Sequence, residues 1–181
     1  MNVSQKAIYT IGHSTRTLEE LISLLEAFSI TMLADVRSYP GSKRYPQFNK
    51  ENLVKELPLN NILYIHLAAL GGRRKSLVHS KNSVWKNDAF RGYADYMETD
   101  EFKNGIAELE SIACKYQTAI MCSEAVWWRC HRSMIADYLK AEGWKVVHII
   151  NDKKAEEHPY TAPAKIIKGK LFYGSEQQKL F

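Results

Sequence analysis

The chain is short of cysteine, of long apolar runs and of recognisable cofactor signatures, and each shortage closes off a class of protein. Three cysteines among 181 residues, Cys114, Cys122 and Cys130, are too few and odd in number to frame a secreted, disulfide-stapled domain. No uninterrupted apolar stretch approaches the roughly 18 residues of a membrane helix, and the opening MNVSQKAIYT has neither the basic segment nor the apolar core of a secretion signal. Reduced thiols, a cytoplasmic setting and no membrane partner are expected. Also missing are a glycine-rich dinucleotide fingerprint, a phosphate-cradling glycine loop ending in Lys-Ser/Thr, a close CxxC pair, internal repeats and low-complexity tracts. No cofactor and no metal are expected. Cys122, Cys130 and His131, with His13 or His66, come nearest to a zinc set, but adjacent residues such as Cys130 and His131 are poorly placed to ligate one ion together. Cys130 is expected instead to begin a helix.

Excess charge is scarce too: 25 basic against 20 acidic residues leave +5 and a pI near 9.0. That balance speaks to association with polyanions rather than to fold. Its distribution says more, because Arg73, Arg74, Lys75, Lys81, Lys86 and Arg91 share one stretch in which only Asp88 opposes them. This stretch is expected to meet phosphates.

What the chain does have is a repeated pattern. Five short apolar runs each end in polar, chemically competent residues: Ile8–Ile11 in Gly12, His13 and Ser14; Met32–Ala34 in Asp35 and Arg37; Ile62–Ile65 in His66; Ala119–Met121 in Cys122 and Glu124; Val146–Val147 in His148. Between them lie helical patterns. Thr17 with Glu20 makes a capping box ahead of Leu18, Leu21, Ile22, Leu25 and Phe28. A short helix is expected around 52–57 and another at AFRGYADYM. Thr99 caps a helix whose buried face is Phe102, Ile106, Leu109 and Ile112, and Met134, Ile135, Tyr138 and Leu139 stripe a last one that Gly143 ends in a left-handed turn. Strands alternating with helices predict an α/β fold: one three-layer, doubly wound domain over residues 1–151 with a mainly parallel sheet of about five strands. Residues 152–181 are expected to be an extension or weakly structured tail. In such a sheet the carboxyl ends of the strands open onto one edge, where the five polar clusters would face one another. The irregular segment from Leu67 to about Asp88 is long for a passive connection and reads as a lid or binding loop.

Cys122 is the sharpest candidate for chemistry, since a thiol at a strand end ahead of a helix lies near amides and near Arg129, His131 and Arg132, which favour its thiolate. The alternative is a buried cysteine acting as a small hydrophobe. Strand, cysteine loop, arginine and helix also describe rhodaneses and cysteine phosphatases, but here six residues separate Cys122 from Arg129, which is not their spacing. Glu124 is read either as a general acid or base or as an ion pair to Arg129 or Arg132 that orders the loop. His13 with Ser14 offers a second acid–base candidate; Asp35 with Arg37 either clamps a substrate anion or holds its own loop. Trp127 and Trp128 either stack a base or divide between core and surface.

The motifs TIGHS at 10–14, DVRSYP at 35–40, LGG at 70–72, FRGYADYM at 90–97, MCSE at 121–124 and CHR at 130–132 together resemble the domain-of-unknown-function 488 family across nearly the whole domain. The resemblance implies an α/β domain with these motifs clustered as an active site, and it supplies no established substrate. The segment AVWWRCHR lacks the proline common in that family. Separately, the ending QQKLF is similar to the peptide by which bacterial repair and replication proteins dock on the sliding clamp, through Gln177, Leu180 and Phe181, with Gln178 where leucine is usual.

The function expected from these readings is an enzyme, a hydrolase or transferase, acting on a phosphate-bearing substrate, either a nucleotide or damaged nucleic acid. Cys122 or Glu124 would stand at the reactive centre and His13 would move protons. Arg37, Arg73 and Arg132 would neutralise the anion, with Ser14, Asp35, Gly71, Gly72, Tyr93, Arg129 and His131 completing the binding site. The other class left open is a non-catalytic module that binds nucleic acid or a sliding clamp.

Overall fold

The computed structural model describes residues 6–174. Strands β1 (Ala7–Gly12), β2 (Met32–Asp35), β3 (Leu63–His66), β4 (Thr118–Cys122) and β5 (Lys145–Ile149) alternate with helices α1 (Leu18–Ala27), α2 (Lys50–Glu56), α3 (Asp88–Tyr96), α4 (Asp100–Ala113) and α5 (Arg132–Ala141). The five strands pair in parallel in the order β3-β2-β4-β1-β5. A sixth, β6 (Ala155–Glu157), adds antiparallel to β5. The molecule is thus a single-domain α/β fold on a mostly parallel, mixed sheet.

Every residue of β2 and β4 is buried. A strand covered on both faces needs continuous apolar sequence rather than alternation, which is why MLAD and TAIMC read as unbroken runs. One face is covered by α1 and α2, whose Leu21, Leu25 and Leu53 pack with Leu33, Ala119 and Met121. The other carries α3, α4 and α5, with Tyr93, Phe102, Ile106, Met134 and Ile135 against Ala34, Ile120 and Val146. The expected caps form: Thr17 and Glu20 exchange both bonds of the capping box, and the Thr99 hydroxyl accepts the Phe102 N–H. Each cap contributes about 1 kcal/mol. Gly143 ends α5 with φ of 88°.

Strand order decides where a site can form. The neighbours β1 and β4 send their chains to opposite faces, into α1 and α5. Chain reversal of this kind opens a crevice at the carboxyl ends of the two strands.

Where a weakly structured segment is expected after residue 151, the chain builds β6 and then an antiparallel pair, β7 (Lys165–Ile167) with β8 (Lys170–Phe172). Buried polar anchors explain the order. Asp137 of α5 accepts from His158 Nε2 at 2.9 Å, the Thr161 hydroxyl at 2.5 Å and the Tyr173 hydroxyl at 2.8 Å. Gln177, Leu180 and Phe181 of the clamp-like ending lie outside the described residues. Among the described residues no helix is long and apolar enough to cross a membrane.

Candidate functional site

Register brings the first and fourth strand ends together. Gly12 lies opposite Cys122, and the next two residues continue the ladder: His13 N–H donates to the Cys122 carbonyl and Ser14 N–H to the Ser123 carbonyl, both at 3.0 Å. On the other side of β4, Val36 N–H donates to the Met121 carbonyl at 3.0 Å. Above these ends is a cavity of about 430 Å³. His13, Arg37, Gly72, Arg73, Cys122, Glu124, Arg129, Cys130 and His131 all line it.

Cys122 is buried at one wall, and its thiol is poised to lose its proton. The neighbouring Cys130 thiol, then His131 and the Arg132 charge, hold it well below the ordinary thiol range against the opposing effect of burial. Cys130 moves the other way, raised by its own burial and by the Cys122 sulfur, so it stays a thiol. His131 Nε2 donates to the Val36 carbonyl at 3.0 Å, which leaves Nδ1 facing both sulfurs, 3.9 Å from Cys122 and 3.6 Å from Cys130. Nδ1 is therefore the atom that can take or return the Cys122 proton. The two sulfurs and this nitrogen lie within 4.8 Å of one another, the one set among the described residues spaced to hold a metal ion. Adjacency in sequence does not keep Cys130 and His131 apart, because the chain turns between them into α5.

Gly72 makes the His131 position possible. A Cβ there would overlap the imidazole ring, so Gly72 of the LGG motif clears space for His131 while itself lining the cavity. Gly71 packs against Ser38 and does not line the cavity.

Arg37 is buried beside Asp35. Its Nε and Nη2 bond the two carboxylate oxygens at 2.9 and 2.6 Å, Nη2 also reaches the Phe48 carbonyl at 2.7 Å, and Nη1 donates to His13 Nε2 at 3.3 Å. One Nη1 hydrogen is left over. Burial works against the Arg37 charge, but Asp35 outweighs it and the guanidinium is held more firmly protonated than usual. Asp35 also accepts from the Tyr64 hydroxyl at 2.7 Å. It therefore holds the loop and aims Arg37. His13 donates from Nδ1 to the Ser14 carbonyl at 3.0 Å. Burial and the Arg37 charge lower its pKa to about 4, so the imidazole is neutral and both its nitrogens are engaged.

Other expected residues stand apart from the cavity. Arg132 is buried and spends Nη1 and Nη2 on the Glu124 and Ala125 carbonyls at 2.6 and 3.0 Å, clamping the loop between β4 and α5. The Glu124 carboxylate takes no part in that clamp. Tyr93 is fully buried, donates to the Leu70 carbonyl at 2.8 Å and sets its ring edge-on to His131 at 5.1 Å. Ser14 is in the left-handed region with φ of 53° and serves the turn after β1. The outer strand ends do not reach the cavity: His66 bonds the Arg37 carbonyl, and His148 lies under Trp127 in a chain running from Thr10 through His148 and His158 to Asp137. Burial, then His158, lower His148 to about 2.

Much of the basic stretch is engaged internally. Arg74 lies over the Tyr96 ring at 3.6 Å, Lys81 pairs with Glu98 at 2.6 Å, and Arg91 pairs with Asp88. Asp95 of α3 accepts from Leu77 N–H, the Ser80 hydroxyl and the Asn82 amide, which pins the loop down. Arg73 and Arg129 are the cavity arginines without a carboxylate partner among the described residues, and Arg73 lies over the Tyr39 ring at 5.5 Å. Sequence reading weighed Cys122 and Cys130 together only as part of a zinc set and ranked that set low because Cys130 and His131 are adjacent; the structure brings all three together. The signal was a chain that must return from its loop to the strand end before starting α5.

A family model described as "Domain of unknown function DUF488" matches residues 17–139, which takes in the Asp35–Arg37, Gly71–Arg73 and Cys122–Arg132 segments. No curated protein and no solved structure matches the chain.

Proposed function

The chain belongs to the DUF488 family, and from the chemistry of its strand-end cavity we propose an enzyme acting on a phosphate-bearing substrate, a nucleotide or a damaged nucleic-acid unit, with Cys122 as nucleophile. The observation that carries this reading is a thiolate-prone Cys122 sharing one cavity with His131 Nδ1 at 3.9 Å and with Arg73 and Arg129. A volume of about 430 Å³ suits a ligand of nucleotide size.

His131 takes the Cys122 proton, and the thiolate attacks the electrophilic centre. Arg73 and Arg129, with the remaining Arg37 hydrogen, balance the charge that accumulates on the phosphate oxygens. The proton held by His131 goes to the leaving oxygen, and the exposed Glu124 carboxylate activates the water that clears the enzyme. His13 is a positioning residue for Arg37, because a neutral imidazole accepting from that guanidinium does not serve as a free base.

Incubation with a panel of nucleotides and lesion-bearing oligonucleotides tests the proposal. Turnover is expected together with a covalent adduct on Cys122 detectable by mass spectrometry; Cys122→Ser abolishes both, and Arg129→Ala raises KM by about tenfold, the loss of one charged hydrogen bond. Salt-dependent oligonucleotide binding without turnover, unchanged in Cys122→Ala, overturns it in favour of a non-catalytic binding module.

A further inference from the structure

Cys122 and Cys130 are paired, and the pair is asymmetric. Both line the cavity and both sulfurs face His131 Nδ1, at 3.9 and 3.6 Å, yet their surroundings push them apart: the Cys122 thiol is lowered and the Cys130 thiol raised. We infer that Cys122 and Cys130 form an oxidant-responsive dithiol, in which a hydroperoxide oxidises Cys122 and Cys130 then closes an intramolecular disulfide.

Geometry supports the inference first. The two sulfurs and His131 Nδ1 lie within 4.8 Å of one another. A disulfide needs about 2.05 Å between sulfurs, so closure takes side-chain rotation with a modest shift of one backbone segment. Cys130 is placed to supply that shift, because it lies after the 3-10 turn Trp127–Arg129 and before α5, inside neither. Cys122 lines the cavity, so a small peroxide reaches it by the same route as a substrate. Cys114 caps the far end of α4 and is exposed, outside this arrangement, which makes it an internal control.

The chemistry balances with hydrogen peroxide, the simplest hydroperoxide, as the oxidant. The Cys122 thiolate attacks the peroxide O–O bond: an S–O bond forms, the O–O bond breaks, and the departing hydroxide takes a proton from solvent to leave as water. Cys122 has lost two electrons and is a sulfenic acid. Cys130 then gives its proton to the leaving hydroxide as its sulfur attacks Cys122; the S–S bond forms, the S–O bond breaks, and a second water leaves. A small dithiol reductant restores both thiols by exchange.

The inference uses the Cys122 thiolate of the proposed function but no phosphate substrate, and its test reads no turnover, so either can fail alone. The full chain, held in a chelator so that bound metal cannot mask thiols, is treated with stoichiometric hydrogen peroxide. Its three free thiols are expected to fall to one, Cys114, with a Cys122–Cys130 linked peptide after digestion and full recovery on adding a dithiol. Cys130→Ser is expected to stop at a sulfenic acid on Cys122, captured by dimedone and absent from the wild type. Three alkylatable thiols after peroxide, a sulfinic acid on Cys122 with Cys130 still free, or a link between chains through Cys114 each overturn the inference. The wild-type thiol count decides the matter even if the variant fails to fold.

Discussion

Asp35, fully buried, and Arg37, nearly so at the cavity wall, neutralise each other, and a change at one leaves the other uncompensated. Asp35→Asn is expected to cost about 3–5 kcal/mol in denaturant unfolding, whereas replacing both by Leu and Met costs less than the sum of the single changes. His13 gives a pH dependence of definite sign. Its pKa falls from 6.5 to about 4 on folding, so between those values the unfolded chain binds a proton that the folded one refuses. The stabilisation is complete above about pH 6.5 and drains away as pH falls towards 4, by a total on the order of 3 kcal/mol. Denaturation series across that window are expected to show a shallower slope in His13→Gln, with His148 supplying the remainder. Gly72→Ala places a methyl in the His131 ring and is expected to raise the Cys122 thiol pKa, read as slower iodoacetamide labelling near neutral pH and a titration curve displaced upward. The place of Cys122 was legible because the apolar run of β4 ends in it, ahead of a basic stretch and a helix. The role of Gly72 was not, because it depends on a ring 59 positions away in the chain.

Each helix start that carried a hydroxyl cap in the sequence was found at its place, since a cap is read from three or four consecutive residues. Loops obeyed no such local rule. Arg132 was expected to face an anion; two carbonyls of the loop between β4 and α5 claim it instead, because that chain reverses without a ladder to satisfy its backbone. Arg132→Met removes both bonds and is expected to cost about 2–4 kcal/mol while loosening the loop that carries Cys130, measured as faster hydrogen exchange over residues 123–131. The long basic segment behaves similarly. It was read as a lid or binding loop from its length and irregularity, and as phosphate-facing from its charges; Asp95 gathers three of its donors onto α3.

For the whole molecule, the order β3-β2-β4-β1-β5 selects which strand ends can share a site. Five ends carry chemical groups, but the central three build the cavity, and the outer two, with His66 and His148, are spent on structure. The segment after residue 151 belongs to the same account. A chain ending at Asn151 would leave the fully buried Asp137 without His158, Thr161 and Tyr173, and we expect it to melt well below the full chain, by the equivalent of about 3–5 kcal/mol in scanning calorimetry. Equal melting temperatures would make the extension peripheral.

The sequence by itself determined the alternation of strands and helices, the caps, the left-handed turn at Gly143 and the polar residues waiting at the strand ends, because each follows from interactions within a few residues. Only the tertiary structure decided that Cys122 meets Cys130 and His131, that Asp35 and Arg132 turn inward, and that His148 stacks under Trp127. Those outcomes depend on which strands become neighbours and on which charges the closing core must neutralise, and neither is written in any local stretch of chain.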